Sequence, residues 1–217
     1  MSTAAPTPAW TPEFKDLWPT LLLRRRLPGH EEHADTLVEL VEKMDREHEQ
    51  LTARFQAVDI FELDHPGIAW LRECIDESVQ AYFHRVGMDY GIKWSVSGWS
   101  NTNRFGDYHA PHNHAWSYLS GTYYLKMPEE SDVEPRQSRA PSAAISFYDP
   151  RAAASMLAVA GETLGNYEFT LRPEAGNLML WDSALTHSVH ANLSRETRIT
   201  ISFNISLTWT EQNLGER

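Results

Sequence analysis

Five of the ten histidines fall in two short segments whose spacing could hold a metal ion. The segments are DYHAPHNH at 107–114 and THSVH at 186–190. On an extended strand, side chains two residues apart point to the same face, so His112 and His114 could grip one ion from neighbouring positions. A third ligand must come from elsewhere in the fold, and His187 is the best candidate. The two segments therefore predict a metal centre with three histidine ligands.

An arginine follows at a spacing that suits a bound carboxylate. Arg198 lies eleven positions beyond His187 and opens the apolar run 199–204. A guanidinium takes a carboxylate in two parallel hydrogen bonds, which lysine does less well. Ten residues separate the histidine from the arginine, which lies on the next predicted strand. This spacing places such a cationic group behind a metal. Alone, Arg198 could instead be a surface residue paired with Glu196; the histidines favour the first interpretation.

Two helices and then a series of short strands must position these side chains. Apolar residues at helical spacing predict amphipathic helices over 33–55 and 66–86. Alternating or short apolar runs bounded by turn residues predict strands. The predicted strands are 17–27, 92–96, 116–127, 144–148, 167–171, 178–181 and 197–207. The polar stretch 131–142 is expected to be a surface loop. This order favours an α+β chain, mainly β, built on a sandwich or jelly roll.

Composition excludes several classes of protein. The formal net charge is −11, and the single basic run, Arg24 to Arg26, is too short to predict a nucleic-acid partner. Cys74 is the one cysteine, so no intramolecular disulfide can form, and its apolar surroundings predict a buried, inert thiol. Because no long apolar stretch is present, we expect no membrane partner and a cytoplasmic location. We expect a flexible N-terminus at 1–12 and a single domain at 13–217, helical over about 30–90 with a β core over about 92–208.

Several segments, taken in order, resemble one family. They are Trp99-Ser-Asn101, Gly106, His112-Asn-His114, Leu119 to Leu125, Phe147 to Arg151, Pro173 to Gly176, His187-Ser-Val189, Asn192 and Arg198 to Asn204. This set resembles the bacterial and phage 2-oxoglutarate–Fe(II) oxygenases of the 2OG-FeII_Oxy_5 type. The resemblance covers about 94–204. It implies a double-stranded β-helix (a jelly-roll, cupin-like fold), on which the N-terminal helices would pack.

The resemblance also implies the contents of the site. Fe(II) would be held by His112, His114 and His187, and Arg198 would bind the distal carboxylate of 2-oxoglutarate. Further candidates for holding this cosubstrate are Tyr123, Thr200, Ser202 and Asn204. Candidates for lining the substrate pocket are Asn101, Asn103, Trp116 and Asp182. His109 and His190 are expected behind the ligands or facing solvent.

The third ligand stays open at this stage. Most oxygenases of this superfamily use two histidines and one carboxylate. Here the usual H-x-D position reads H-x-H, so the ligand is His114, a nearby carboxylate from Asp107 or Asp182, or water or chloride. The sequence also departs from the family pattern at His190, at the segment Trp181-Asp182-Ser183 and at Ala115. The first two lie near the expected mouth of the active site, which indicates a substrate different from that of relatives.

The expected activity is oxidation, most simply hydroxylation, of an unactivated C–H bond in a small molecule with O2. Desaturation, ring closure or halogenation would use the same ligands. Two alternatives remain: a three-histidine cupin-type dioxygenase that needs no 2-oxoglutarate, and a non-catalytic jelly-roll binding protein. The amphipathic N-terminal helices also offer a surface through which a homodimer could form. The sequence does not identify the substrate.

Overall fold

The computed structural model describes residues 13–17, 19–47, 58–88, 91–129, 140–151 and 167–208. In chain order its elements are β1 (Leu22–Arg26), α1 (His30–Arg46), a 3₁₀ helix (Ile60–Glu62), α2 (Pro66–Arg85), β2 (Lys93–Asn103), β3 (His109–His112), β4 (Leu119–Lys126), β5 (Ile145–Tyr148), β6 (Glu168–Leu171), β7 (Asn177–Asp182), β8 (His187–Val189) and β9 (Arg198–Thr208).

The strands form two antiparallel sheets. The major sheet has the order β1-β7-β4-β9-β2, and the minor sheet has the order β3-β8-β5-β6. Consecutive strands of the chain repeatedly pass from one sheet to the other, as the path of a jelly roll requires. The expected class, a mainly β double-stranded β-helix carrying N-terminal helices, is confirmed.

Because side chains alternate in direction along each strand, the major sheet has an apolar face and a polar face. On β9 the apolar residues Ile199, Ile201, Phe203 and Ile205 are fully buried and pack against the helices. The residues between them are polar and face the minor sheet. Since side chains of a strand alternate between faces, one eleven-residue strand supplies both the core and the floor of a cavity.

The two helices cover the apolar face of this sheet. α1 begins after Gly29, whose φ of 77° lies in the left-handed region that favours glycine. α2 begins with Pro66 at its first position, while the His65 side chain accepts a hydrogen bond from the Gly67 amide. Their buried residues form one core with the sheet; they include Leu37, Val41, Leu71, Ile75 and Val79. Each such side chain contributes roughly 1.5–3 kcal/mol on burial.

A second, smaller core lies between the sheets. Phe147 of the minor sheet packs edge-on against Trp181 of the major sheet, with ring centroids 5.0 Å apart. Tyr124 and Met179 complete this contact from the major sheet. The core closes one end of the space between the sheets, so the remaining space forms a cavity.

The predicted elements agree with most of the fold. Both helices are present, and α1 starts three residues earlier than expected. The seven predicted strands overlap β1, β2, β4, β5, β6, β7 and β9. β1 is confined to Leu22–Arg26, and β2 extends seven residues beyond the predicted strand 92–96. The short strands β3 and β8 were missed as separate elements. His114 lies beyond the end of β3, so the expected H-x-H pair on one strand is wrong for that residue.

Some predictions fall outside the described residues. These are the N-terminus 1–12, the helix beyond residue 47 and positions 131–139 of the expected loop. The single-domain division and pairing through the helices stay predictions. Cys74 is buried, as expected. No helix in the described part of the chain is long and apolar enough to span a membrane.

Candidate metal centre

Three histidines converge between the two sheets. His112 ends β3 and His187 begins β8, and these two residues are paired across the antiparallel ladder. His114 lies two residues beyond His112, where its backbone amide donates to the carbonyl of Ser183. One ring nitrogen from each histidine lies within 4.8 Å of the other two. This spacing suits a single metal ion bound by all three rings.

Hydrogen bonds hold each ring in the tautomer that a metal requires. Nδ1 of His112 donates to the carbonyl of Ala110 at 2.7 Å, and Nδ1 of His187 donates to the carbonyl of Leu185 at 3.0 Å. These are backbone acceptors two residues upstream. Since a carbonyl oxygen only accepts, the proton of each ring lies on Nδ1. The lone pair of Nε2 is therefore available for a metal.

The third ring is held by a side chain. Nδ1 of His114 lies 2.6 Å from Oδ1 of Asn204, and the hydroxyl of Ser120 donates to the same oxygen at 2.9 Å. With two donors directed at it, this oxygen holds His114 in the Nδ1–H form. Asn204, expected from the sequence to hold the cosubstrate, instead contacts a histidine of the cluster.

Burial keeps two histidines of the cluster, His187 and His114, uncharged. His187 is 4% exposed, and its desolvation lowers its pKa to about 3. Trp181 packs edge-on against the His187 ring at a centroid distance of 5.0 Å. Desolvation also lowers the pKa of His114. Neutral imidazoles at ordinary pH are the form that binds metals.

The two carboxylates considered as alternative ligands lie outside the cluster. Asp182 is exposed, and its Oδ1 accepts from the amide of Ala184 at 2.8 Å. Oδ2 of Asp107 accepts from the amide of Arg104 at 2.8 Å. The cluster formed by the described residues contains histidines alone. The local geometry therefore favours His114 over either aspartate.

A cavity of about 790 Å³ opens beside the histidines. Its floor consists of alternate, polar residues of β2, β4 and β9; they include Asn101, Thr122, Thr200 and Ser202. The Asn101 amide donates to the hydroxyls of Ser202 at 3.0 Å and Thr200 at 3.3 Å. Oδ1 of Asn101 is buried without a hydrogen-bond partner among the described residues. The floor can thus accept further hydrogen bonds from a ligand.

Arg198 lies at one end of this floor and carries an uncompensated buried charge. It is 2% exposed, and burial lowers its pKa. Nη1 donates to Oδ1 of Asn103 at 2.9 Å and to the Thr200 hydroxyl at 3.4 Å. No carboxylate in the described part of the chain pairs with it, and its Nε has no acceptor there. A buried guanidinium without a counter-ion favours an anionic ligand.

Tyr124 lies against this arginine. The guanidinium carbon of Arg198 is 5.3 Å from the centroid of the Tyr124 ring. The Tyr124 hydroxyl is also buried without a partner among the described residues, and desolvation raises its pKa to about 12. It therefore stays protonated and can donate a hydrogen bond. Together Arg198 and Tyr124 could hold a carboxylate.

The remaining predicted site residues divide into two groups. Thr200, Ser202 and Asn101 line the cavity, and Asn103 lies behind Arg198. Tyr123 points to the opposite face, where its hydroxyl lies 2.5 Å from Nδ1 of His30.

Of the four predicted substrate residues, only Asn101 lines the cavity, since Asn103 is buried behind Arg198 and two others face solvent. The Trp116 side chain is 99% exposed, and Asp182 faces solvent. His190 contacts Ser146 rather than the metal cluster, whereas His109 lines the cavity.

Tyr124 and Trp99 were not predicted. Trp99 lines the cavity with its ring centroid 5.6 Å from that of His114. The period of two along β4 and β2 is the signal that could have found them, given that Thr122 and Asn101 face the cavity.

The family model described as "Putative 2OG-Fe(II) oxygenase" matches residues 97–204, which include every residue of the histidine cluster and Arg198. The chain belongs to this 2OG-Fe(II) oxygenase family. It is accordingly an oxidoreductase whose metal is Fe(II) and whose cosubstrate is 2-oxoglutarate. Membership of this family supports that interpretation over the alternative that needs no 2-oxoglutarate and over the non-catalytic alternative. No curated protein has a sequence that matches this chain.

Solved structures of other 2-oxoglutarate enzymes share the fold. A Pseudomonas putida prolyl-4-hydroxylase is 13% identical, with a TM-score of 0.55 over 86% of this chain and 88% of that one. HygX from Streptomyces hygroscopicus, with nickel and 2-oxoglutarate bound, is 14% identical, with a TM-score of 0.55 over 86% and 82%. The epimerase SnoN of nogalamycin biosynthesis is 15% identical, with a TM-score of 0.55 over 90% and 80%. At these identities the likeness establishes the fold alone.

The residues of this 2OG-Fe(II) oxygenase fit both the Fe(II) ion and 2-oxoglutarate. Three imidazoles, each with Nδ1 engaged in a hydrogen bond that leaves Nε2 for a metal, suit a divalent iron ion. The unpartnered Nε of Arg198 and hydroxyl of Tyr124 are buried donors that the distal carboxylate of 2-oxoglutarate would satisfy.

Proposed function

We propose that this chain is a 2-oxoglutarate-dependent dioxygenase that hydroxylates an unactivated C–H bond of a small molecule. The observation that carries the proposal is the pairing of two features in one cavity. A cluster of three histidines lies beside a buried arginine that has no carboxylate partner in the described chain. A metal centre alone has no need of such an arginine, whereas an anionic cosubstrate does.

In this proposal His112, His114 and His187 hold the iron. The backbone carbonyls of Ala110 and Leu185 keep two of the rings in the Nδ1–H form, so little rotation is needed when metal binds. When bound, iron and 2-oxoglutarate supply the oxidising power, with O2 as oxidant and succinate and CO2 as co-products.

Arg198 anchors the distal carboxylate of 2-oxoglutarate, and Tyr124 and Thr200 lie beside it. Because Arg198 and the three histidines line one cavity, this anchor would leave the keto acid end of the cosubstrate free to reach the iron. Because Arg198 is buried, its hydrogen bonds to a carboxylate are not weakened by competing water. Ser202 and Asn101 continue the polar floor towards the open part of the cavity.

The substrate would enter from the open part of the cavity. Trp99, beside His114, offers a flat apolar surface there, and Asn101 offers an unpartnered acceptor. A volume of about 790 Å³ accommodates the cosubstrate and a small molecule together. Hydroxylation is the simplest outcome of the chemistry, although the similar solved structures include an epimerase and a carbocyclase.

The test is turnover under ¹⁸O₂. The Fe(II)-loaded chain is incubated with 2-oxoglutarate, ascorbate and pools of small molecules, and succinate and oxidised products are followed by mass spectrometry. A hydroxylating dioxygenase transfers one labelled atom to succinate and the other to the product. Arg198→Ala serves as the control and should lose both.

Two outcomes would contradict the proposal. If labelled succinate forms and the substrate is altered without gaining oxygen, the reaction is not hydroxylation. If no pool stimulates formation of succinate above the background given by His187→Ala, the proposed dioxygenase activity fails.

A further inference from the structure

Asn103 is the residue that contacts the buried arginine most closely. It ends β2 and is paired with Arg198 across the ladder of β2 and β9. Its side chain is fully buried, with Oδ1 2.9 Å from Nη1 of Arg198 and Nδ2 3.2 Å from Nε2 of His109. Its backbone carbonyl accepts from the Asn192 side chain at 3.1 Å. Both ends of the Asn103 amide are therefore engaged.

The hydrogen-bond chemistry fixes every proton in this chain of three residues. A guanidinium only donates, so the Asn103 atom that faces Arg198 must be its oxygen. The Asn103 nitrogen then faces His109 and donates to it. Nε2 of His109 is therefore an acceptor, which places the proton of this neutral ring on Nδ1. The order Arg198, Asn103, His109 has one consistent assignment of donors and acceptors.

Asn103 and His109 orient the Arg198 guanidinium without neutralising its charge. Asn103 and His109 contribute no charge, and no acid of the described chain pairs with Arg198. An aspartate at position 103 has nearly the same shape as asparagine but would form a buried ion pair with the guanidinium. With asparagine there, the positive charge remains available to a ligand.

We infer that Asn103 and His109 are a neutral positioning pair that reserves the charge of Arg198 for the ligand and so makes the chain select 2-oxo acids with a second carboxylate. Asn103 holds the guanidinium by one N–H group, and His109 holds Asn103. Its Nε has no acceptor among the described residues, and Arg198 lines the cavity. This inference rests on the proposed role of Arg198 in binding 2-oxoglutarate.

The experiment compares two ligands that differ in the distal carboxylate. Anaerobic calorimetry of the Fe(II)-loaded chain gives the Kd of 2-oxoglutarate and of 2-oxopentanoate, in which a methyl group replaces that carboxylate. The ratio of the two Kd values measures the preference for the dicarboxylate. Asn103→Asp should reduce this ratio by about tenfold or more, because a charge-assisted bond to the ligand is replaced by one within the protein.

The matched control is Ser95→Asp. Ser95 lies on the same strand, β2, but is exposed and does not line the cavity. The substitution adds the same charge to the protein, and the ratio should stay that of the wild type. His109→Ala should weaken 2-oxoglutarate binding several-fold and leave 2-oxopentanoate binding unchanged, because Asn103 then loses its support while Arg198 keeps its charge; the ratio should therefore fall less than in Asn103→Asp.

The outcomes separate this inference from the proposed function. If the wild-type chain binds both ligands equally, the role of Arg198 itself fails. If the wild type prefers 2-oxoglutarate and folded Asn103→Asp keeps that preference, only the inference is overturned. Should Asn103→Asp fail to fold, Asn103→Ala decides: the inference requires weaker 2-oxoglutarate binding with 2-oxopentanoate binding unchanged, and 2-oxoglutarate binding equal to that of the wild type overturns it.

Discussion

The ring of His114 is held by Asn204, whose Oδ1 lies 2.6 Å from the histidine Nδ1. The other two histidines of the cluster donate to backbone carbonyls. His114 is therefore the one member of this cluster whose support can be removed by mutation without moving the main chain. Asn204 lies on β9, an interior strand of the major sheet that is paired with both β2 and β4, and so connects the metal centre to that sheet.

Replacing Asn204 by alanine should weaken metal binding. Without the acceptor, His114 can rotate and change tautomer, and loss of such a partner typically lowers metal affinity by about 10- to 100-fold. Competition with a coloured chelator for Fe(II) or Zn(II) measures the change. Ser120→Ala is the control, because Ser120 donates to the same oxygen but does not contact the histidine. Equal affinities in Asn204→Ala and the wild type would contradict the role given to Asn204.

Two adjacent tyrosines give a second, matched prediction. Tyr124→Phe removes a buried hydroxyl beside Arg198 and should weaken 2-oxoglutarate binding several-fold with little change in unfolding free energy, because this hydroxyl has no protein partner in the described chain. Tyr123→Phe should leave 2-oxoglutarate binding unchanged. It should lower the unfolding free energy by about 1–3 kcal/mol, because it leaves Nδ1 of His30 buried without its partner.

Calorimetric titration and urea denaturation of both variants check this pair. The reverse pattern, with weaker ligand binding in Tyr123→Phe alone, would show that the assignment of the two faces of β4 is wrong.

The metal-free protein should lose stability as the pH falls below about 6.5. Burial lowers the pKa of His187 to about 3 and that of His109 to about 4. In the unfolded chain both rings take up a proton near pH 6.5, whereas in the folded chain they do not. Protonation therefore favours the unfolded state throughout the interval from pH 6.5 to about 4, and stability is greatest above it.

Urea denaturation at several pH values measures this loss. Each ring contributes up to about 1.4 kcal/mol per pH unit within the interval. His109→Gln should give a shallower slope than the wild type, since one of the two buried rings is removed. A slope that does not differ between the two proteins would mean that His109 is protonated in the folded state.

The sequence predicted those features that local patterns encode. β9 alternates strictly between apolar and polar residues, so both its extent and the cavity-facing positions of Arg198, Thr200 and Ser202 could be predicted. The histidines could be predicted because metal ligands impose residue type and spacing. β3 and β8 could not, since they have four and three residues and gain their structure by pairing with each other across 75 positions of the chain (112 to 187).

Contacts between distant segments determine the parts that were missed. Every residue of β4 up to Leu125 is buried, so polarity does not distinguish its two faces. Pairing with β9 decides them: Tyr124 lies opposite Thr200 and faces the cavity, whereas Tyr123 lies opposite Ile201 and faces the helices. In the same way, the contact of Asn204 with His114 joins residues 90 positions apart, which no local pattern could reveal.

The most direct test of the central claim is anaerobic titration of the metal-free chain with Fe(II) and 2-oxoglutarate. The claim is that three histidines hold the iron and that Arg198 anchors the cosubstrate beside it. The account predicts the weak visible charge-transfer band of iron chelated by the 2-oxo acid. The band should be lost in His187→Ala, because the metal does not bind. It should also be lost in Arg198→Ala at moderate 2-oxoglutarate concentration, because the cosubstrate does not bind. Iron binding without the band in the wild type, or a band of unchanged strength in Arg198→Ala, would contradict it.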